Sequence, residues 1–425
     1  MIGGFRCRVC GATTDVATVH SWRCPRASPA DRHHVFDIVT TTVPAPPGAL
    51  GDNPFVVFRE SLAFDAFAAA HGMTPAAREA LIIETDELVA AVAGTGFQIS
   101  PFRRNAGLSD ALGFTAEGGI WVKDETAQVA GSHKARHLFT ILLHLRAAEL
   151  LRLAPGPRPP LAISSCGNAA LAAATLAAAV SWPIKVFVPP TANPAVLARL
   201  HTLDAEVVTC PRRADDPPGD PCVHRFREAL AIGALPFVVQ GPENVWSLDG
   251  CRTLGWELAG DFAQLDRRID RLIVQVGAGS MGTSVGMGLA EAGCRVPIDT
   301  VQTQGCAPLA RAWDRLGPPH DADAAAGRWA ELMWPWEREP HSLADGILDD
   351  ETYDWLGVVE QMARSGGQPI VAAEADVVRA AELAQTVSGI DVSPTGAAGL
   401  AGVIADRSTL RDDDQVAVIF SGVRR

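Results

Sequence analysis

Lysine is nearly missing from this chain. Of its 36 basic residues only three are lysines, Lys123, Lys134 and Lys185. Tyrosine occurs once. Basic side chains never cluster beyond two or three residues and the net charge is −13, which argues against nucleic acid as a partner. No apolar run reaches the length of a membrane span; Ala169–Val180 comes nearest, and it is short and alanine-rich. Residues 1–10 lack the apolar core of a secretion signal, so the expected location is the cytoplasm. Nine cysteines are scattered without the spacing of a disulfide framework. What is present is bulk: 425 residues, 48% of them hydrophobic, enough for two domains or more.

Three of the cysteines, Cys7, Cys10 and Cys24, fall near the start. Cys7-Arg-Val-Cys10-Gly11 is half of a zinc ribbon: the short gap lets both thiolates reach one metal, and the glycine permits the turn. Cys24 offers a third ligand and His34 a fourth, with His33 and His20 as substitutes. The alternative is a set of ordinary buried thiols. Residues 1–40 read as a separate knuckle. A Pro/Gly-rich linker, Pro44–Pro54, and helices near Arg59–His71 and Pro75–Val92 follow, the second capped by Thr74.

Further on, the pattern is strand–helix alternation, which implies a mostly parallel sheet covered on both faces. Strands are expected at Ile120–Glu125, Leu161–Ser164, Ile184–Val188, Ala205–Val208, Phe237–Gln240, Leu272–Val276 and Gln415–Phe420. Pro318–Leu343 is a tryptophan-bearing loop region. In such sheets ligands sit at the C-terminal ends of strands, where Ser165-Cys166-Gly167-Asn168 falls. The strand Leu272–Val276 runs into Gly277-Ala278-Gly279-Ser280-Met281-Gly282 at the start of a helix. Backbone N–H groups there can close around an anion, and the helix terminus adds favourable charge. The same loop could serve a dinucleotide fold, or only pack a helix close to a strand, and no convincing acidic ribose partner follows about 20 residues on.

Lys134 stands in Gly131-Ser132-His133-Lys134-Ala135-Arg136, ahead of the apolar run Leu138–Leu153. Ser132 is a candidate helix cap, which would put Lys134 in the first turn. A desolvated lysine amine is a nucleophile toward carbonyls.

Together these segments resemble the pyridoxal-phosphate enzymes of fold type II, the tryptophan-synthase-β type, and within them the threonine synthase and threonine/serine dehydratase branch. The resemblance runs from about residue 95 to the end, through WVKDET, GSHKAR, SSCGNAA, SLDGCRTLGWEL, VGAGSMG, SPTGAAGLAGV and VIFSG in the family's order. It implies an α/β enzyme with pyridoxal phosphate held by Lys134 as a Schiff base. Asn168 would bond the cofactor's 3′-hydroxyl. Ser165, Cys166 and Gly167 would grip the substrate carboxylate. Gly277, Ala278, Gly279, Ser280 and Gly282 would cradle the phosphate, and Ser421 would meet the pyridine nitrogen. A large cofactor domain is expected over 41–160 and 245–425, and a smaller one over 161–244. The N-terminal cysteines resemble the zinc ribbon of some threonine synthases. A homodimer acting on a small amino acid is implied as well.

Threonine synthases commonly read Asn-Pro-Thr-Gly-Ser-Phe-Lys-Asp-Arg around the lysine, where this chain has Gln128-Val-Ala-Gly-Ser-His133-Lys134-Ala135-Arg136. That difference turns the expectation toward a dehydratase, a lyase that eliminates the β-hydroxyl of serine or threonine. Replacement chemistry of the threonine synthase kind is the alternative. His133 either adds an acid–base group or packs as the usual phenylalanine does.

Overall fold

The computed structural model describes residues 2–28, 31–40, 44, 48–154 and 156–425; residues 45–47 of the expected linker lie outside the described residues. The chain forms two compact units, Met1–Gln98 with Gln128–Thr253, and Ile99–Ala127 with Leu254–Arg425. This differs from the domain limits expected from the sequence, which grouped Lys134 with residues 245–425. In the structure its helix, Lys134–Leu150, packs on helices Asn168–Ala179 and Ala63–Ala70 and so belongs to the first unit.

The first unit is built on a parallel sheet ordered Glu206–Thr209, Ile184–Val188, Leu161–Ser164, Leu235–Pro236. The last strand is shorter and earlier than the Phe237–Gln240 expected. Phe237–Val239 are apolar and buried, as a strand would be, but past the Phe237 N–H the backbone leaves the ladder, and the Val239 carbonyl accepts from the Ser247 hydroxyl at 3.0 Å. Helix Pro75–Ala93 starts as expected, with the Thr74 hydroxyl accepting from the Ala77 N–H at 3.2 Å.

The N-terminal strands Ile2–Cys7, Thr13–Asp15 and Phe36–Thr40 form a small antiparallel sheet with Ile2–Cys7 in the middle. It packs within the first unit. Strand Ile2–Cys7 touches helix Ala63–Ala70, Trp22 sets its ring edge-on to Trp246 at 5.4 Å, and the Val245 N–H donates to the Trp22 carbonyl at 2.9 Å.

The second unit carries a six-stranded sheet ordered Pro369–Ala372, Ile298–Thr303, Arg271–Gln275, Gln415–Phe420, Gly119–Asp124, Phe102–Asn105. All pairings are parallel except the last. Every residue of Gln415–Phe420 is buried, the pattern of a parallel strand covered on both faces. Each fully buried Val, Ile or Phe there contributes roughly 1.5–3 kcal/mol. Lys123, on strand Gly119–Asp124, is wholly buried. Its ammonium donates to Asp261 at 2.8 Å and to the Ser100 carbonyl at 2.7 Å, and pairs with Glu257 at 2.9 Å. Burial alone would lower its pKa, but the two carboxylates more than reverse this and raise it. No helix of the described residues is long and apolar enough to cross a membrane.

Candidate active site

The three lysines separate by environment. Lys123 is locked in its buried ion network, and Lys185 pairs at the surface with Glu206 at 3.0 Å. Lys134 opens the helix Lys134–Leu150 and is half-buried. Ser132 is not the cap of this helix. His133 holds the cap position, without a side-chain cap bond, and the Ser132 hydroxyl is buried with no hydrogen-bond partner among the described residues. Ser132 itself is extended, with φ −166° and ψ 161°, and the helix starts at Lys134 without a side-chain cap. A buried, unsatisfied hydroxyl is costly unless something is to bind it.

One turn on, the His137 ring bonds the Ser247 carbonyl through Nδ1 at 2.9 Å. Burial, helped by the charge of Lys134, pushes its pKa down to about 3, so it stays neutral. Arg136 is wholly buried and reaches the Thr253 hydroxyl at 3.1 Å and the Gln98 carbonyl at 3.3 Å. The same unit presents Ser165-Cys166-Gly167-Asn168 at the C-terminal end of strand Leu161–Ser164, where Asn168 begins helix Asn168–Ala179. Cys166 is exposed, and the Gly167 N–H lies 3.4 Å from the Ser165 hydroxyl.

In the second unit, Gly277–Gly282 follows strand Arg271–Gln275, and helix Ser280–Glu291 starts within the loop. Glycine is required here. A side chain at Gly277 would collide with the Asp349 carboxylate and with Ile347, and Gly279 has a left-handed φ of +96°. The Ser280 hydroxyl is buried at the helix start with no hydrogen-bond partner among the described residues. A glycine turn, a helix N-terminus and an unpartnered hydroxyl together suit an anion, and a phosphate ester fits this donor set.

Ser421 directly follows strand Gln415–Phe420. Its hydroxyl accepts from Gln275 Nε2 at 2.7 Å; the carbonyls of Gly396 and Ile419, 2.9 and 3.1 Å from the same nitrogen, share its other N–H. Gln275 thus orients Ser421. Sequence reading passed over this glutamine, although a polar residue directly after the apolar run Leu272–Val274 was the available signal.

The N-terminal cysteines converge. One ligand atom from each of Cys7, Cys10, Cys24 and His34 lies within 4.8 Å of the others. Cys7 Sγ is 3.3 Å from His34 Nδ1, and Cys10 Sγ is 3.6 Å from Cys24 Sγ. Thiolates about 2.3 Å from a tetrahedral zinc would stand at similar separations. Gly11, with φ +69°, lets its N–H return to the Cys7 carbonyl at 2.9 Å. His34 Nε2 meets Asp31 at 3.2 Å, the outer contact that metal-bound histidines usually keep. Burial pushes Cys24 up to about 12, whereas at Cys10 burial is outweighed by hydrogen bonds from Ala12 and the neighbouring ligands, which bring it to about 7.

A family described as pyridoxal-phosphate dependent enzymes matches residues 96–422. Among solved structures, the chain is similar to the threonine deaminase of T.th., at 21% identity and a TM-score of 0.60, over 81% of this chain and 98% of that one. Maize serine racemase matches at 17% identity and a TM-score of 0.60, over 81% and 93%. A fungal L-serine ammonia-lyase from Rhizomucor miehei matches at 19% and 0.58, over 77% and 94%. No curated protein matches the chain. At these identities the solved structures speak for the fold, which is that of fold type II. With the family match spanning most of its length, the chain belongs to the pyridoxal-phosphate dependent enzymes.

Proposed function

We propose that the protein is a lyase that eliminates water from a β-hydroxy amino acid such as serine or threonine, releasing ammonia and a 2-oxo acid. The observation that carries this reading is the Gln275–Ser421 pair. Because Ser421 accepts from Gln275 Nε2 at 2.7 Å, its own proton is directed elsewhere. A neutral hydroxyl facing the pyridine nitrogen would not enforce protonation there, which favours rapid loss of a β-leaving group over transamination. Pyridoxal phosphate would supply the electron sink for bond breaking at the substrate's α-carbon. Lys134 would hold it covalently, Asn168 would bond its 3′-hydroxyl, and Gly277, Ala278, Gly279, Ser280 and Gly282 would hold its phosphate. Ser165, Cys166 and Gly167 would orient the substrate carboxylate. Once released, Lys134 Nζ would take the α-proton as general base. Cytoplasmic location and a homodimer complete the reading.

The test is to incubate the pyridoxal-phosphate-loaded protein with serine, threonine and O-phosphohomoserine. Ammonia with a 2-oxo acid from serine or threonine is the expected result. Phosphate released from O-phosphohomoserine with threonine formed would instead establish replacement, the reading that the Cys/His ribbon favours. No product from any of the three overturns both.

Zinc at Cys7, Cys10, Cys24 and His34 is the second part of the proposal. The purified protein is expected to carry about one zinc per chain, and its removal by a strong chelator to lower unfolding stability by roughly 3 kcal/mol or more. Cys24→Ser should reproduce the loss. Metal analysis with a urea titration checks both, and a zinc-free protein of unchanged stability refutes the assignment.

A further inference from the structure

The Pro318–Leu343 region condenses around tryptophan and arginine rather than forming a plain loop. Two short helices, Ala322–Ala326 and Trp329–Leu332, lie within it, just after helix Pro308–Leu316. Arg311 and Arg315 stand four residues apart on that helix, on one face. Both set their guanidinium groups over the Trp334 ring, at 3.7 and 4.6 Å from its centroid. These distances are within the range of a cation–π contact, about 6 Å.

The charges are unevenly answered. Arg311 donates to both oxygens of Glu337 at 2.9 Å, and Glu337 also accepts from Trp334 Nε1 at 2.6 Å. Arg328 is paired with Glu331 at 2.9 Å. Arg315 has the indole face and, among the described residues, no ion-pair partner. A guanidinium that stacks through its face keeps its in-plane N–H groups for a carboxylate or phosphate.

A cavity of about 530 Å³ beside them is lined by Arg315, Arg328, Ala330, Glu331, Leu332 and Trp334. That volume is in the usual range of small-molecule sites, roughly 300–1,000 Å³. The indole of Trp334 and Ala330 supply the apolar part of the lining, over the buried Leu332. One unanswered cation, a second cation held by a single carboxylate, and an apolar wall describe the complement of an amphipathic anion. None of the lining residues belongs to the glycine loop.

We propose that this cavity binds a small organic anion, a carboxylate or phosphate joined to an aromatic or branched apolar body, at Arg315 and Trp334. The proposal stands independently of the elimination reading.

The test is isothermal titration calorimetry on the full chain loaded with pyridoxal phosphate. The probes are benzoate and phenyl phosphate, with inorganic phosphate and benzyl alcohol as charge-only and apolar-only controls. Benzoate or phenyl phosphate should bind at least tenfold more tightly than either control, and the better of the two identifies the head group. Arg315→Gln should weaken that binding by roughly tenfold or more, the scale of one charge-assisted hydrogen bond. Arg315 is exposed, so this variant should keep the wild-type melting temperature and the visible cofactor band. Arg328→Gln, also at an exposed position, is the second variant and should weaken binding in the same direction. Absence of binding at millimolar probe, inorganic phosphate binding as tightly as the organic anions, or full affinity in Arg315→Gln overturns the proposal.

Discussion

Lys134→Ala is expected to abolish the visible absorbance of the cofactor-loaded protein and to lower turnover by roughly 10²–10⁴-fold or more, the contribution of a positioned general base. Two structural facts single out this lysine. Lys123 cannot reach a cofactor without breaking a network of two carboxylates and a carbonyl, and Lys185 is at the surface beside Glu206. Lys134 stands at a helix start, next to the buried, unpartnered hydroxyl of Ser132. The substitution removes a half-buried side chain, so folding should survive and the far-ultraviolet dichroism should match wild type. Absorbance with and without added pyridoxal phosphate, followed by turnover on the best amino acid, provides the measurement. A visible band that persists in the alanine variant would move the covalent role to another residue and remove the basis of the elimination reading.

Lys123→Ala acts on stability instead. It leaves Glu257 and Asp261 facing each other in the protein, the first fully buried and the second 22% exposed. Removing one partner from a buried ion network typically costs about 3–5 kcal/mol, because the remaining charge is uncompensated. Asp261 already has its pKa raised by burial, against the pull of Lys123. Without that ammonium the folded-state pKa of Asp261 should rise further above its unfolded value. A carboxyl group raised in this way disfavours the folded state while ionised, above its unfolded pKa of about 4, and the penalty fades as pH falls toward that value. The variant should therefore show its largest deficit in urea unfolding near neutral pH and a smaller one near pH 5. A deficit that is the same at both pH values would contradict the account.

Much of this molecule could be read from its residues. The apolar strands Gln415–Phe420, Ile184–Val188 and Leu161–Ser164 fall at the limits that their patterns suggest. Cys7, Cys10, Cys24 and His34 converge, with His34 and not His33 or His20 in the cluster. The gaps have a common cause. Ile298–Thr303 is buried throughout yet four of its six residues are polar, so it did not read as a core strand. Its polar groups find partners far along the chain: Asp299 with Arg271, Thr300 with the Met362 sulfur, Gln302 with the Thr352 hydroxyl. Phe102–Asn105 contains two arginines and reads as loop until it is paired against Gly119–Asp124. The Gln275–Ser421 contact joins residues 146 positions apart and has no local signature.

The outer strands of the six-stranded sheet have a consequence for the crowded, newly made chain. An open strand edge is a template on which another molecule can add its own strand, the first step of aggregation. Pro369 begins the strand at one border and withholds a backbone donor there. At the other border Phe102–Asn105 runs against the direction of its neighbours and bears Arg103 and Arg104. An incoming strand would meet a missing donor on one side and two like charges on the other. The sheet is thus bounded at both ends by residues unsuited to intermolecular growth, and the protein should remain dispersed at concentrations where a flat apolar edge would seed fibres.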